Sequence, residues 1–313
     1  MKKPHLKVAI LGASGHIGKN LIFYFSQKNN YELFLFSRNK TKIKKIINKF
    51  SFDFSFNIKN YNDFEKFNYD LIINCIGISN PETVNTNKVP ILRITEYYDN
   101  LILDYLEKHE STLYIFISSG AAYGKEFSNP VTDLTYAQFN INDLTPGDSY
   151  SIAKINAEAK HRSLKSFNIV DLRIFTFFSR FLNPEDSFLM SNIVSSLKNK
   201  KILYTNSVDI IRDYVHPSDL FALIEKCIQK PSNNVFDVYS KKPTSKFKIL
   251  NSLSTKYGLK YVIKKDLEFF LPTGIKKNYY SKSKKARNIG YKPKYSSLET
   301  ILDEIKFVLN NYP

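Results

Sequence analysis

The chain has 313 residues, with 46 Lys and Arg against 29 Asp and Glu, giving a formal net charge of +17. A hydrophobic share of 43% beside 24% charged residues excludes wholesale disorder and provides core for one large or two modest domains. No apolar run approaches the roughly 20 residues of a membrane span, and Gly12 interrupts the stretch after Met1-Lys2-Lys3 before a signal-peptide core is built.

The first half alternates short apolar runs with amphipathic segments. Lys7–Leu11 reads as a strand, His16–Gln27 as a helix and Tyr31–Ser37 as a second strand. Lys40–Lys49 is a basic helix, Asp70–Cys75 an apolar strand, Ile91–Lys108 a long helix and Leu113–Ser118 another strand. An amphipathic helix, Tyr150–Lys165, follows the break Pro146-Gly147-Asp148. Continuous apolar strands separated by helices predict a parallel sheet covered on both faces, a doubly wound α/β domain. Beyond Ser179 the pattern gives helices at Ser187–Lys198, Pro217–Gln229, near Lys246–Tyr257 and at Ser297–Leu309, and strands at Lys201–Thr205 and Asn234–Tyr239. This part reads as a smaller cap on the first domain.

Directly after the first strand stands Gly12-Ala13-Ser14-Gly15-His16-Ile17-Gly18. Three glycines between a strand and a helix suit a tight turn, the approach of backbone to a pyrophosphate and close helix packing. The amides that open the helix then face the ligand's negative charge.

The GxxGxxG spacing resembles the short-chain dehydrogenase/reductase superfamily, specifically its extended branch of nucleotide-sugar-modifying enzymes in the NAD-dependent epimerase/dehydratase family. The resemblance implies a Rossmann-type doubly wound parallel sheet with a smaller C-terminal α/β substrate-binding cap. Residues 1–180 would form the dinucleotide-binding domain, with 208–241 returning to it, and 181–207 with 242–313 would form the cap. Gly12, Ser14, Gly15, His16, Ile17 and Gly18 would cradle the cofactor. The second strand ends Phe36-Ser37-Arg38 with no acid, so Ser37 and Arg38 favour the 2′-phosphate of NADP(H), with NAD(H) the other possibility. Asn57 and Ile58 would contact adenine, and Cys75, Ile76 and Gly77 would line the cleft.

The superfamily's active site uses a Tyr-x-x-x-Lys pair. Four tyrosines, Tyr24, Tyr150, Tyr261 and Tyr280, have a lysine four residues on, so context selects among them. Tyr150 and Lys154 follow the strand that ends Ser118-Ser119-Gly120-Ala121-Ala122-Tyr123-Gly124, and the family's hydroxyl residue four before Tyr-Gly is Ser119. Residues four apart on a helix share a face, so Tyr150 and Lys154 can meet one ligand. The resemblance implies Tyr150 as proton donor, its phenol made more acidic by Lys154, with Lys154 also on the nicotinamide ribose and Ser119 on the reacting oxygen.

Ile210-Ile211-Arg212-Asp213-Tyr214-Val215-His216 resembles the segment whose arginine grips the nucleotide diphosphate; an Arg–Asp structural pair is the alternative. Ser119, Gly120, Thr176, Asn192 and Arg212 are the expected substrate contacts. Gly120-Ala121 stands where 4,6-dehydratases carry Asp-Glu, and Ala121 where the fucose-synthase-like enzymes carry cysteine. The expected function is therefore an NADPH-dependent reductase of a nucleotide-linked keto-(deoxy)sugar, with the keto group at C4, in cell-surface polysaccharide precursor synthesis. A nucleotide-sugar 4-epimerase with tightly bound NAD is one alternative, and a non-catalytic dinucleotide sensor or RNA- or protein-binding protein another.

The basic runs Arg38–Lys49, Lys198–Lys201 and Lys276–Lys294 carry no recognisable RNA-binding motif, so the charge reads as compositional bias and not as a nucleic-acid surface. His5, His16, His109, His161 and His216 lack ligand spacing, so no metal is expected and each reads as a surface, turn or capping residue. Two cysteines, Cys75 and Cys227, build no disulfide framework and point to a cytoplasmic setting. The helices Ile91–Lys108 and Tyr150–Lys165 are candidates for a homodimer interface.

Overall fold

Apolar runs of four to seven residues, too short for helices and too continuous for an open sheet, become strands buried on both sides. The computed structural model describes residues 5–50, 55–77, 91–186, 188–264 and 276–310. In chain order these are β1 (Leu6–Leu11), α1 (His16–Ser26), β2 (Tyr31–Phe36), α2 (Lys40–Phe50), β3 (Phe56–Lys59), β4 (Leu71–Asn74), α3 (Ile91–Lys108) and β5 (Leu113–Ser119). Then come α4 (Pro146–Ser163), β6 (Ile169–Ile174), β7 (Thr176–Phe177), α5 (Leu189–Lys198), β8 (Leu203–Thr205), β9 (Ile211–Arg212) and β10 (Tyr214–Val215). The chain continues through α6 (Pro217–Gln229), β11 (Asn234–Val238), β12 (Thr244–Ser245), α7 (Lys246–Tyr257), β13 (Tyr261–Ile263), β14 (Asn278–Tyr279) and α8 (Ser297–Leu309).

Seven strands form one parallel sheet in the order β11-β6-β5-β4-β1-β2-β3. The strand order reverses between β1 and β4, so the crevice for a ligand opens at the carboxyl ends of these central strands. Alternate residues bury opposite faces. Val8, Ile10, Leu33 and Leu35 pack with Leu21, Ile22 and Phe25 of α1 and Leu220 and Phe221 of α6. Ala9, Leu11, Phe34 and Phe36 pack with Ile102, Tyr105 and Leu106 of α3 and Ala157 of α4. A separate core joins Met190, Ile193 and Val194 of α5, Ile249, Leu250 and Leu253 of α7, and Ile301, Ile305 and Val308 of α8. No helix among the described residues is long and apolar enough to cross a membrane.

Local chemistry sets the helix ends. α4 begins four residues earlier than its amphipathic pattern indicates, because Thr145 and Asp148 form a capping box with Pro146 in the first turn. Tyr150 therefore sits a full turn inside the helix and not at its start. α8 opens on the corresponding box of Ser296 and Glu299, and α7 ends at Gly258 in the left-handed region. Ser187, the expected first residue of α5, lies outside the described residues.

Candidate active site

Gly12 lies at φ +73°, and a side chain there would come within 3.0 Å of the Cys75 carbonyl, so both conformation and space demand glycine. A Cβ on Gly18 would stand 2.6 Å from the Gly12 oxygen, which is how α1 lies so close to the turn. Gly15 is the N-cap of α1 at φ −76°, an ordinary value; what it contributes is the missing side chain in front of the first helical amides. No acid occupies that first turn. Ile17 packs on the core beneath. The Ser14 and Ser37 hydroxyls lie 3.3 Å apart, joining the turn to the end of β2, where Arg38 is exposed.

The His16 imidazole turns away from the turn and meets Ser179 Oγ at 2.7 Å and the edge of Phe177. Burial, aided by Lys19, pushes its pKa down to about 3, so the ring is neutral. Asn57 and Ile58 sit on the edge strand. They lie inside β3, and the Asn57 amide donates to Glu32 at 3.1 Å. The strand's carboxyl end is followed by Asn60 and Tyr61, whose hydroxyl accepts from the Gly12 amide at 3.2 Å and donates to the Phe36 carbonyl at 3.3 Å.

After β4, Asn74 Oδ1 accepts from the Ile76 amide at 3.0 Å and fixes the Cys75-Ile76-Gly77 segment. A Cβ on Gly77 would lie 3.8 Å from Lys154 Nζ, so this segment faces α4. Cys75 is a free thiol that burial pushes up to about 12.

Ser119, Tyr150 and Lys154 come together. Ser119 hydrogen-bonds the Tyr150 phenol, and Lys154 Nζ stands 5.9 Å from the Tyr150 ring centre. The ammonium also donates to the Ile117 carbonyl at 3.0 Å and lies over the Phe116 ring. Burial pushes Lys154 down to about 8, opposed by the charges of Glu158 and Asp99. The Tyr150 phenol is itself pushed up by burial, and the Ser119 hydrogen bond works against that rise. The other matches to the pattern stand elsewhere. Tyr24 stacks on Phe221 in the core, and Tyr261 donates to Asn251 in the cap.

Among the substrate-side residues, Gly120 lies flat against Phe175, and a Cβ would collide with that ring at 2.4 Å. Thr176 Oγ1 is buried without a hydrogen-bond partner among the described residues. Asn192 lies on the exposed side of α5, between buried Ser191 and Ile193. Arg212 is not paired with Asp213. Its guanidinium donates to the Ile211 and Lys276 carbonyls at 2.8 and 2.6 Å, whereas Asp213 accepts from Ser240 and Ser297.

Two residues of the site carry no signal in the sequence. Tyr279, 160 residues beyond Ser119, brings its hydroxyl to 3.2 Å from Ser119 Oγ, and Lys276 stands over the Tyr279 ring. One histidine departs from expectation: His161 is fully buried between Asp99 and Asp171, whereas half-buried His16 follows the glycine turn and His216 is a helix cap. His216 caps α6 and joins Asp303 and Glu304, three groups that could hold a cation. Each is otherwise engaged: Arg180 forks onto Glu304, Lys306 pairs with Asp303, and His216 Nδ1 accepts from the Ser218 amide.

The NAD dependent epimerase/dehydratase family model matches residues 8–240. Curated protein sequences give no match. Among solved structures, the chain is similar to the UDP-glucuronic acid 4-epimerase of Bacillus cereus in complex with UDP-glucuronic acid and NAD. The TM-score is 0.79 at 18% identity, covering 98% of this chain and 100% of that one. It is similar also to the UDP-glucose 4-epimerase of Thermotoga maritima with UDP-glucose, at TM-score 0.78 and 16% identity over 98% and 100% of the two chains. The dTDP-glucose 4,6-dehydratase of Bacillus anthracis with NAD gives 0.74 at 16% identity over 98% and 97%. At these identities the structural likeness establishes the fold, and the family match spans the glycine turn, Ser119, Tyr150, Lys154 and Arg212. The chain belongs to the NAD-dependent epimerase/dehydratase family, within the extended short-chain dehydrogenase/reductases.

Proposed function

We propose that the chain is an NADP(H)-dependent reductase of a nucleotide-linked keto-(deoxy)sugar, with the keto group at C4, serving polysaccharide precursor synthesis. The observation that carries the reading is the meeting of Ser119, Tyr150 and Lys154 beside the glycine turn at the reversal point of the sheet. The cradle fits a dinucleotide: Gly12, Gly15 and Gly18 leave backbone amides uncovered at a helix start without an acid. Exposed Arg38 at the end of β2 supports a 2′-phosphate. Asn57 and Ile58 of β3, with Tyr61 bonded to the Gly12 amide beside them, support the adenine side.

The bound dinucleotide supplies the hydride. Tyr150 delivers the proton to the reduced oxygen, Ser119 donates a hydrogen bond to that oxygen as charge develops, and Lys154 holds the ribose hydroxyls. Thr176, whose buried hydroxyl has no partner among the described residues, supports a polar contact to the substrate, and Arg212 supports its diphosphate.

A second reading is a 4-epimerase retaining NAD, favoured by the relatives solved with UDP-glucose and UDP-glucuronic acid. One experiment separates them. Purified protein is assayed for bound dinucleotide, then offered nucleotide-4-keto-sugars with NADPH or NADH. The reductase reading expects exchangeable cofactor, NADPH preference and net oxidation of NADPH; retained NAD and inverted sugar without net redox would replace it. Tyr150→Phe should lower turnover by about a hundredfold to ten-thousandfold while cofactor binding persists.

A further inference from the structure

Three lysines are buried among the described residues: Lys154, Lys246 and Lys276. Lys154 donates to the Ile117 carbonyl, and Lys246 to the Asn206 carbonyl and side chain. Lys276, only 6% exposed, has neither an oxygen partner nor a carboxylate in salt-bridge reach among the described residues. Its ammonium instead sits 4.6 Å from the Tyr279 ring centre and 5.1 Å from that of Phe127. Aromatic faces offset only part of the cost of removing an ammonium from water.

A second cation shares the place. The Arg212 guanidinium lies 5.7 Å from the same Tyr279 ring and spends its donors on two backbone carbonyls, one of them that of Lys276. Neither charge is neutralised by an acid among the described residues, and Lys125 nearby is already paired with Asp148 at 2.7 Å. Burial, Arg212 and Lys125 together push Lys276 down to about 8. A half-buried and a buried cation side by side, with no counter-ion among the described residues, raise each other's energy and are relieved by an anion. The hydroxyl of the ring beneath them touches Ser119, so the relieving anion belongs to a molecule lying over the reacting centre.

We propose that Lys276 and Arg212 together form a seat for an oxyanion of the bound nucleotide sugar, a phosphate or sugar-carboxylate oxygen, with Lys276 the residue that no sequence motif marks. This rests on the nucleotide-sugar reading. Occupation of the seat holds Lys276 in its charged form, so binding near pH 8 takes up protons.

Calorimetry with UDP, UDP-glucose and UDP-glucuronic acid at pH 8, in two buffers of different ionisation enthalpy, tests this on wild type, Lys276→Gln and Lys276→Arg. Lys276→Gln should weaken binding about tenfold or more and abolish proton uptake, while Lys276→Arg restores affinity without the uptake. Equal loss across all three ligands identifies the diphosphate as the anion; loss confined to UDP-glucuronic acid identifies the sugar carboxylate. Wild-type affinity and proton uptake in Lys276→Gln for every ligand overturn the proposal and leave the nucleotide-sugar reading standing. Wild type that binds none of the three overturns both. A thermal melt matching wild type verifies that each variant is folded.

Discussion

Tyr279 sets a second phenol against Ser119, and counting hydrogens shows what it does there. Ser119 Oγ already accepts from the Ala121 amide at 3.1 Å, and the same amide reaches the Tyr279 oxygen. The Ser119 and Tyr279 hydroxyls lie 3.2 Å apart and either could donate, so a Tyr279 proton sent along that line lands on Ser119. With Tyr279 donating, both lone pairs of Ser119 are used and its own proton faces Tyr150 and the cleft. Burial pushes the Tyr279 phenol up, which keeps it a donor. Tyr279→Phe should therefore free the Ser119 hydroxyl to rotate, lower kcat by about tenfold with little change in KM, and move the Tyr150 limb of the pH–rate profile upward. An unmoved profile would show that Tyr279 only fills space.

At the scale of elements, α3, α4 and β6 are tied by His161. Its Nδ1 faces Asp171 at 2.6 Å and its Nε2 faces Asp99 at 2.8 Å, and two carboxylates on one ring require both nitrogens to donate. Burial pushes the imidazole down, but the hydrogen bonds and charges of Asp171 and Asp99 outweigh it and lift the pKa to about 9. A folded value above the ordinary 6.5 stabilises fully below about 6.5, and that contribution is lost as pH rises through about 9. Melting temperature should fall across that window in wild type and lose this dependence in His161→Ala. The substitution leaves two buried carboxylates facing each other and should cost about 3–5 kcal/mol by chemical denaturation. The network continues through Tyr114, which donates to Asp99 and accepts from Asn74, the residue that fixes the Ile76 amide at the cleft. Loss of His161 should thus loosen the cofactor side as well.

At the scale of the whole molecule, α3 and α4 lie side by side on one face of the sheet, and α3 turns Tyr97, 64% exposed, and Leu92 outward. We propose that a second copy covers this face, giving a homodimer of two packed helix pairs. Light scattering should give twice the chain mass, and Tyr97→Asp should shift the population to monomer without altering the site, which lies at the strand ends.

The alternating apolar runs, the glycine turn and the helix opened by Pro217 were legible because each is a local pattern: side-chain period, φ and capping depend on residues within one or two turns. Ser119, Tyr150 and Lys154 could be selected from among competing tyrosines because each lies next to an element boundary that the pattern marks. β3 carried too few residues to place, and α4 was read short because its cap lies outside the apolar repeat. Lys276 and Tyr279 were invisible, since a Lys/Tyr-rich loop resembles any other until β14 pairs with β9 and sets both over Ser119. Of the +17 charge, only Arg38, Lys154, Arg212 and their neighbours had addresses in the sequence. Sequence alone determined the fold class and the chemistry of the strand ends; tertiary structure decided which lysine lies buried without an oxygen partner among the described residues, because desolvation and unpaired charge arise only from what the distant chain packs around it.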